Sequence, residues 1–136
     1  NLLNNILAMQ EAIRHGADEA ILLNHRGELT ECSQSNLFAV KDGVVSTPPL
    51  NAGLLEGVTR NLLFQLSADL EVPVREGVLR ESDLDTIDEL FITSTTREIM
   101  PVVSVDNRTI GSGQPGPITS NLLARLRALA DAITRN

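Results

Sequence analysis

Between the apolar run Leu37-Phe38-Ala39-Val40 and the pair Val44-Val45 stand only Lys41-Asp42-Gly43, a tight hairpin signal that commits the two runs to antiparallel pairing. Asp106-Asn107-Arg108 is a second turn of this kind, between an expected strand over Met100 to Val105 and Thr109-Ile110. Three other stretches have helical spacing instead. The first runs from Leu2 to His15 and stops before Gly16; the second starts at Val58, with Leu62, Leu63, Leu66 and Leu70 on one side; the third covers Ile118 to Ile133, with Leu122, Leu126, Leu129 and Ala130 in register. Helices alternating with short strands predict an α/β domain, and the hairpins make its sheet mixed rather than purely parallel.

The remaining segments fit this plan. Ala20-Ile21-Leu22-Leu23 reads as a buried strand closed by the turn Asn24-His25-Arg26-Gly27, and Leu29-Thr30 and Asn36 to Val40 read as strand pieces around Glu31. A short strand over Val72 to Arg75, a capped turn at Ser82-Asp83-Leu84, a strand over Glu89 to Thr93 and a Gly/Pro loop from Gly111 to Pro117 complete the list. With 136 residues, 42% of them hydrophobic, the chain makes one domain, residues 1–136. Eleven basic against eighteen acidic residues give a net charge of −7, with the signs interspersed, which argues against a nucleic-acid partner. The lone Cys32 excludes an internal disulfide framework, and no apolar run approaches the roughly 20 residues of a membrane span. A soluble, cytoplasmic protein is the expectation.

Three separated segments carry the chemistry: Thr30-Glu31-Cys32-Ser33-Gln34-Ser35-Asn36-Leu37-Phe38, then Thr47-Pro48-Pro49 with Leu55-Glu56-Gly57-Val58-Thr59-Arg60, then Thr93-Ser94-Thr95-Thr96-Arg97-Glu98. The middle one lies where a loop becomes a helix, so unpaired backbone N–H groups and the positive helix end can receive an anion. The third is a hydroxyl-rich turn after a strand, which offers several donors to an oxyanion. Each also has a plainer reading: Glu31 as an exposed strand-end acid, Thr59 as a helix cap, the third segment as a capped turn.

Together these segments resemble the signature of the class IV, fold type IV pyridoxal-phosphate aminotransferases, a family that includes branched-chain and D-amino-acid aminotransferases and aminodeoxychorismate lyase. The resemblance implies the family's large domain, a mixed sheet forming a partial barrel flanked by helices, with pyridoxal 5'-phosphate as cofactor. This cofactor is an electron sink while its pyridine nitrogen carries a proton, so a carboxylate must face that nitrogen; the resemblance makes it Glu31. It also implies that Leu55 packs under the ring, that Gly57 and the N–H groups of Val58 and Thr59 receive the phosphate, that Thr95 adds a phosphate contact, and that Thr96 meets the substrate carboxylate. Arg60 is left between the phosphate and a structural ion pair. Arg97 is left between a substrate carboxylate and an ion pair with Glu98 or another acid.

Transamination also needs an amine, and the only lysine, Lys41, sits in the hairpin turn. The resemblance puts the lysine just upstream of Asn1, so the expectation is a cofactor domain cut after its catalytic lysine, without the small N-terminal domain. Asn1 to Leu7 agrees, since it opens inside an amphipathic pattern with no initiator Met. The implied reaction moves an amino group between a branched-chain or D-amino acid and a 2-oxo acid, in a homodimer. The alternatives are aminodeoxychorismate lyase, towards which Cys32 leans, and a non-catalytic paralogue. His15 and His25 read as solvated, no metal site is expected, and Phe91 and Met100 read as core.

Overall fold

The computed structural model describes residues 2–134. Within them, three helices and nine strands follow one another as α1 (Leu2–Arg14), β1 (Ile21–Leu23), β2 (Leu29–Cys32), β3 (Asn36–Lys41), β4 (Val44–Thr47), α2 (Val58–Leu70), β5 (Val74–Glu76), β6 (Glu89–Ser94), β7 (Glu98–Pro101), β8 (Ser104–Val105), β9 (Arg108–Thr109) and α3 (Pro117–Thr134). The central sheet has the order β5-β4-β3-β6-β7, and β1-β2 and β8-β9 form two small ribbons. The hairpin signal acts as expected: Lys41 pairs with Val44 across Asp42 and Gly43, both at positive φ, as a two-residue turn matching strand twist requires. Among the described strands only β4 and β5 run parallel, joined by a crossover that contains α2. The sheet is therefore mixed.

Both faces of the sheet are covered, which explains why β3 is apolar without alternation. Leu37 and Ala39 of β3, with Leu90 and Ile92 of β6, pack on one side against Leu29 and Cys32 of β2 and against Leu84 and Ile110. Phe38, Val40 and Phe91 point the other way, onto Leu63 of α2 and Leu122 and Leu126 of α3. Phe38 and Phe91 are register partners and stack with ring centroids 5.0 Å apart.

The structure corrects two expectations. Met100 to Val105 is not one strand: β7 ends at Pro101, which has no N–H to continue the ladder, and Ser104–Val105 turns away to pair with β9. Met100 consequently lies 41% exposed on β7 rather than in the core, whereas Phe91 is fully buried. Smaller shifts move the strand after Pro73 to Val74–Glu76 and extend β2 through Cys32.

Sequence patterning did not reveal the role of Glu89. It is buried at the start of β6, and its two carboxylate oxygens accept the N–H groups of Ile118 (3.2 Å) and Thr119 (2.8 Å), satisfying the first turn of α3 from outside the helix. Replacing Glu89 by Ala leaves those donors buried and is expected to destabilise the protein by about 2 kcal/mol, read as a lower urea midpoint with an unchanged slope.

Candidate functional site

The site is assembled where the N-terminal end of β3, the C-terminal end of β6 and the start of α2 meet. Glu31, on β2, is half-buried, and its Oε2 accepts the backbone N–H of Leu55 at 3.3 Å. The carbonyl of the same Leu55 accepts Nδ2–H of Asn36 at 2.8 Å, so both polar groups of this peptide are held by the Glu31–Asn36 segment. The Leu55 side chain remains 76% exposed. Two residues on, Gly57 is the N-cap of α2, and a Cβ there would overlap Asn36 Oδ1. Glycine is required for this close approach.

The first internal hydrogen bond of α2 runs from Asn61 N–H to Gly57 O (3.2 Å), so the N–H groups of Val58, Thr59 and Arg60 precede it and point out of the helix end. Thr59 does not cap its own helix; its hydroxyl donates to Ser94 O at 3.4 Å, tying α2 to the end of β6. The segments enclose a cleft of about 210 Å³ lined by Glu31, Leu55, Gly57, Val58, Thr59 and Thr95. Thr96, exposed on the same turn, does not line it.

Ser35 and Thr93 also line this cleft, and sequence reading assigned them no part. Both are more than nine-tenths buried, and the hydroxyl oxygens of both lack a hydrogen-bond partner among the described residues. Buried polar groups are normally satisfied, so two orphan hydroxyls in one cleft mark a place built for a polar ligand. The only advance signal was the density of hydroxyls around Glu31 and Thr95. Burial pushes the Glu31 carboxyl above the usual carboxylate range, and the Leu55 N–H pulls it part of the way back. A cation placed opposite Glu31 would lower that pKa and have its own raised to the same extent.

The open arginine assignments are resolved. Arg60 is 3% exposed and turns away from the helix mouth to pair with Glu76 (2.8 Å), donate to Pro48 O (3.2 Å) and lie over the Phe64 ring. It is a structural ion pair. Arg97 faces Glu19 at 3.6 Å, not Glu98, which pairs with Arg127 at 3.1 Å. Lys41 is exposed at the far end of β3, donates to Thr86 Oγ1 (3.1 Å) and lines a different, open groove of about 380 Å³. Five residues of strand, about 17 Å, separate it from the Asn36 end. Cys32 is buried in the core beneath β3, where burial pushes its thiol far up, so it adds no reactive group to the cleft. His15 and His25 are exposed. Among the described residues no three His, Cys, Asp or Glu side chains gather as metal ligands would, and no helix is long and apolar enough to cross a membrane.

Fold and cleft together define an α/β domain that offers a carboxylate to one end of a small ligand and a helix start to an anionic other end. The family model for class IV amino-transferases matches residues 1–105, and the chain belongs to that family. It is 48% identical over 120 residues to a protein of Aquifex aeolicus named "Probable branched-chain-amino-acid aminotransferase", covering 88% of this chain and 39% of that one. It is 41% identical over 123 residues to the D-alanine aminotransferase of Staphylococcus haemolyticus, covering 90% and 43%. Among solved structures, the branched-chain aminotransferase of the thermophilic archaeon Thermoproteus uzoniensis with norvaline superposes with a TM-score of 0.88 at 40% identity, covering 93% of this chain and 41% of that one. Other branched-chain amino acid aminotransferases in this group were solved with pyridoxamine 5'-phosphate or a phosphopyridoxyl glutamate. The chain thus spans about two fifths of the length of these relatives.

Proposed function

We propose that the cleft seats pyridoxal 5'-phosphate and that the whole protein is an aminotransferase, moving an amino group between an amino acid and a 2-oxo acid. One observation carries this reading: the Glu31 carboxylate and the free N–H groups at the start of α2 line the same cleft of about 210 Å³. The cofactor, when bound, supplies an electron sink for the carbanion formed at the substrate's α-carbon. Glu31 would hold a proton on the ring nitrogen, and Leu55 would wall the ring. The N–H groups of Val58 and Thr59, reached past Gly57, would receive the phosphate, with the Thr95 hydroxyl as a further donor. The unsatisfied Ser35 and Thr93 hydroxyls fit a phosphate or hydroxyl group and support the same assignment. Thr96, next to Thr95, would meet the substrate carboxylate.

The amine that this reaction requires is not Lys41, given its place at the opposite end of β3. Branched-chain and D-amino acids are the proposed substrates, in line with the names of the relatives, and the lyase alternative gains nothing from the buried Cys32. A cytoplasmic homodimer belongs to the same reading. Leu2, Ile6, Leu7 and Ile13, between 47% and 77% exposed on α1, offer a face for such assembly.

Titrating the full-length protein with pyridoxal phosphate tests the proposal: a saturable visible absorbance band supports it, and the absence of any band under all loading conditions removes it. Gly57→Ala sharpens the test. The added methyl drives Asn36 off its bond to the Leu55 carbonyl, so cofactor affinity is expected to fall at least about tenfold, the equivalent of one such hydrogen bond.

A further inference from the structure

Glu19 stands just before β1 with its side chain only 11% exposed, and it is outside the cleft lining. Its Oε1 collects three donors: the N–H of Ala20 (2.9 Å), the N–H of Ser33 (3.1 Å) and the Ser33 hydroxyl. Its buried Oε2 has no hydrogen-bond donor among the described residues and faces the Arg97 guanidinium, at 3.6 Å. Arg97 in turn closes the β6–β7 turn, donating its backbone N–H to Ser94 Oγ at 2.9 Å. Ser33 lies two residues after Glu31, and Arg97 two residues after Thr95. One carboxylate thus joins the loop bearing the acid wall of the cleft to the turn bearing a hydroxyl wall.

We infer that Glu19 and Arg97 are positioning residues: their pair sets the separation between the Glu31 wall and the Thr95 wall, and so the fit of the cofactor between its ring nitrogen and its phosphate. The inference rests on the cofactor reading above. The physical basis is that a largely buried carboxylate keeps its place while each oxygen has a partner. Remove Arg97 and Oε2 is left unpaired; the carboxylate then rotates or admits water, and Ser33 moves with it. Neither residue reaches the cleft, so the effect is transmitted through the loop and the turn. No residue pattern signalled this tie, because its ends come from segments far apart in the chain.

The test uses the full-length protein and three variants, Arg97→Ala, Arg97→Lys and Glu19→Gln, followed by the dissociation constant of pyridoxal phosphate, the pH midpoint of the bound cofactor's visible band, and the melting temperature without cofactor. Arg97→Ala is expected to raise the dissociation constant about tenfold, as losing one charge-assisted contact does, and to shift the pH midpoint, while the cofactor-free melting temperature changes little. Arg97→Lys restores most of the affinity by returning a cation to Oε2. Glu19→Gln weakens binding as Arg97→Ala does, and the double variant loses less than the sum of the two, as coupled sites do.

A dissociation constant within twofold of the parent in Arg97→Ala overturns the inference, as does a loss that Lys does not reverse or one that follows an equal fall in cofactor-free melting temperature. Should Arg97→Ala not fold, Glu19→Gln against Arg97→Lys decides in the same terms. A parent protein that binds no pyridoxal phosphate overturns the cofactor reading and this inference with it; parent binding with unaffected variants overturns the inference alone.

Discussion

Glu31→Gln in the full-length protein is expected to lower turnover about a thousandfold at neutral pH while leaving cofactor uptake largely intact. The amide keeps the shape and an acceptor for the Leu55 N–H, 3.3 Å from Glu31 Oε2, so the cleft stays formed. What it loses is the charge. A unit pair about 4 Å apart at an effective dielectric near 20 interacts by roughly 4 kcal/mol, equal to about three pKa units of the ring nitrogen and so to a factor of roughly 10³ in a rate that needs it protonated. Steady-state turnover beside a cofactor titration separates the two effects, and turnover within about tenfold of the parent would contradict the role given to Glu31.

The same substitution carries a stability prediction of defined sign. Burial raises the Glu31 pKa in the folded state, so between its unfolded and folded values the native protein binds more protons than the unfolded one. Stability therefore falls as pH rises through that window, and the charged carboxylate is a burden at neutral pH. Without cofactor, Glu31→Gln should melt higher than the parent at pH 7, and the difference should vanish below the unfolded carboxylate range. A site acid held against its own solvation preference is what a ligand cation is needed to relieve.

Phe91→Ala should have the largest effect on the fold itself. Phe91 is fully buried in the central strand, stacked on Phe38 at 5.0 Å and packed among Leu63 and Leu122 of the two covering helices. Truncation removes the contact between the sheet and both helices and leaves a cavity with no neighbour free to collapse, a loss of about 3 to 5 kcal/mol against a total stability of about 5 to 15 kcal/mol. Urea unfolding is the measurement, with Phe91→Leu as the milder comparison. Because β6 leads from Phe91 directly into Thr93 and Thr95, cofactor binding should weaken along with stability, whereas in Glu31→Gln the two separate.

How much was legible in the chain follows from the range of the forces involved. The three helices, the Lys41–Val44 hairpin and the strands around Glu31 and Glu89 were readable because periodicity and turn chemistry act within a few residues. Where a long-range partner decided, the reading fell short. Met100 to Val105 has strand-like composition throughout, yet Pro101 ends the ladder against β6 and the chain leaves to form a ribbon with Arg108–Thr109. Arg60 sits at the mouth of a helix in the sequence, but its side chain is drawn back to Glu76 and Pro48. Glu89 appeared as a strand residue and is the cap of a helix nearly thirty positions away.

By itself, then, the sequence determined the kinds of element, the mixed character of the sheet, and the three segments from which the cleft is made, since each follows from the residue types in one short window. Tertiary structure alone decided that these segments share one cleft, that Ser35 and Thr93 line it with unsatisfied hydroxyls, and that Arg97 answers Glu19 rather than its neighbour Glu98. The reason is physical: spacing along a chain assigns a side chain to a face, whereas burial and the need of every buried charge or donor for a partner select that partner through space.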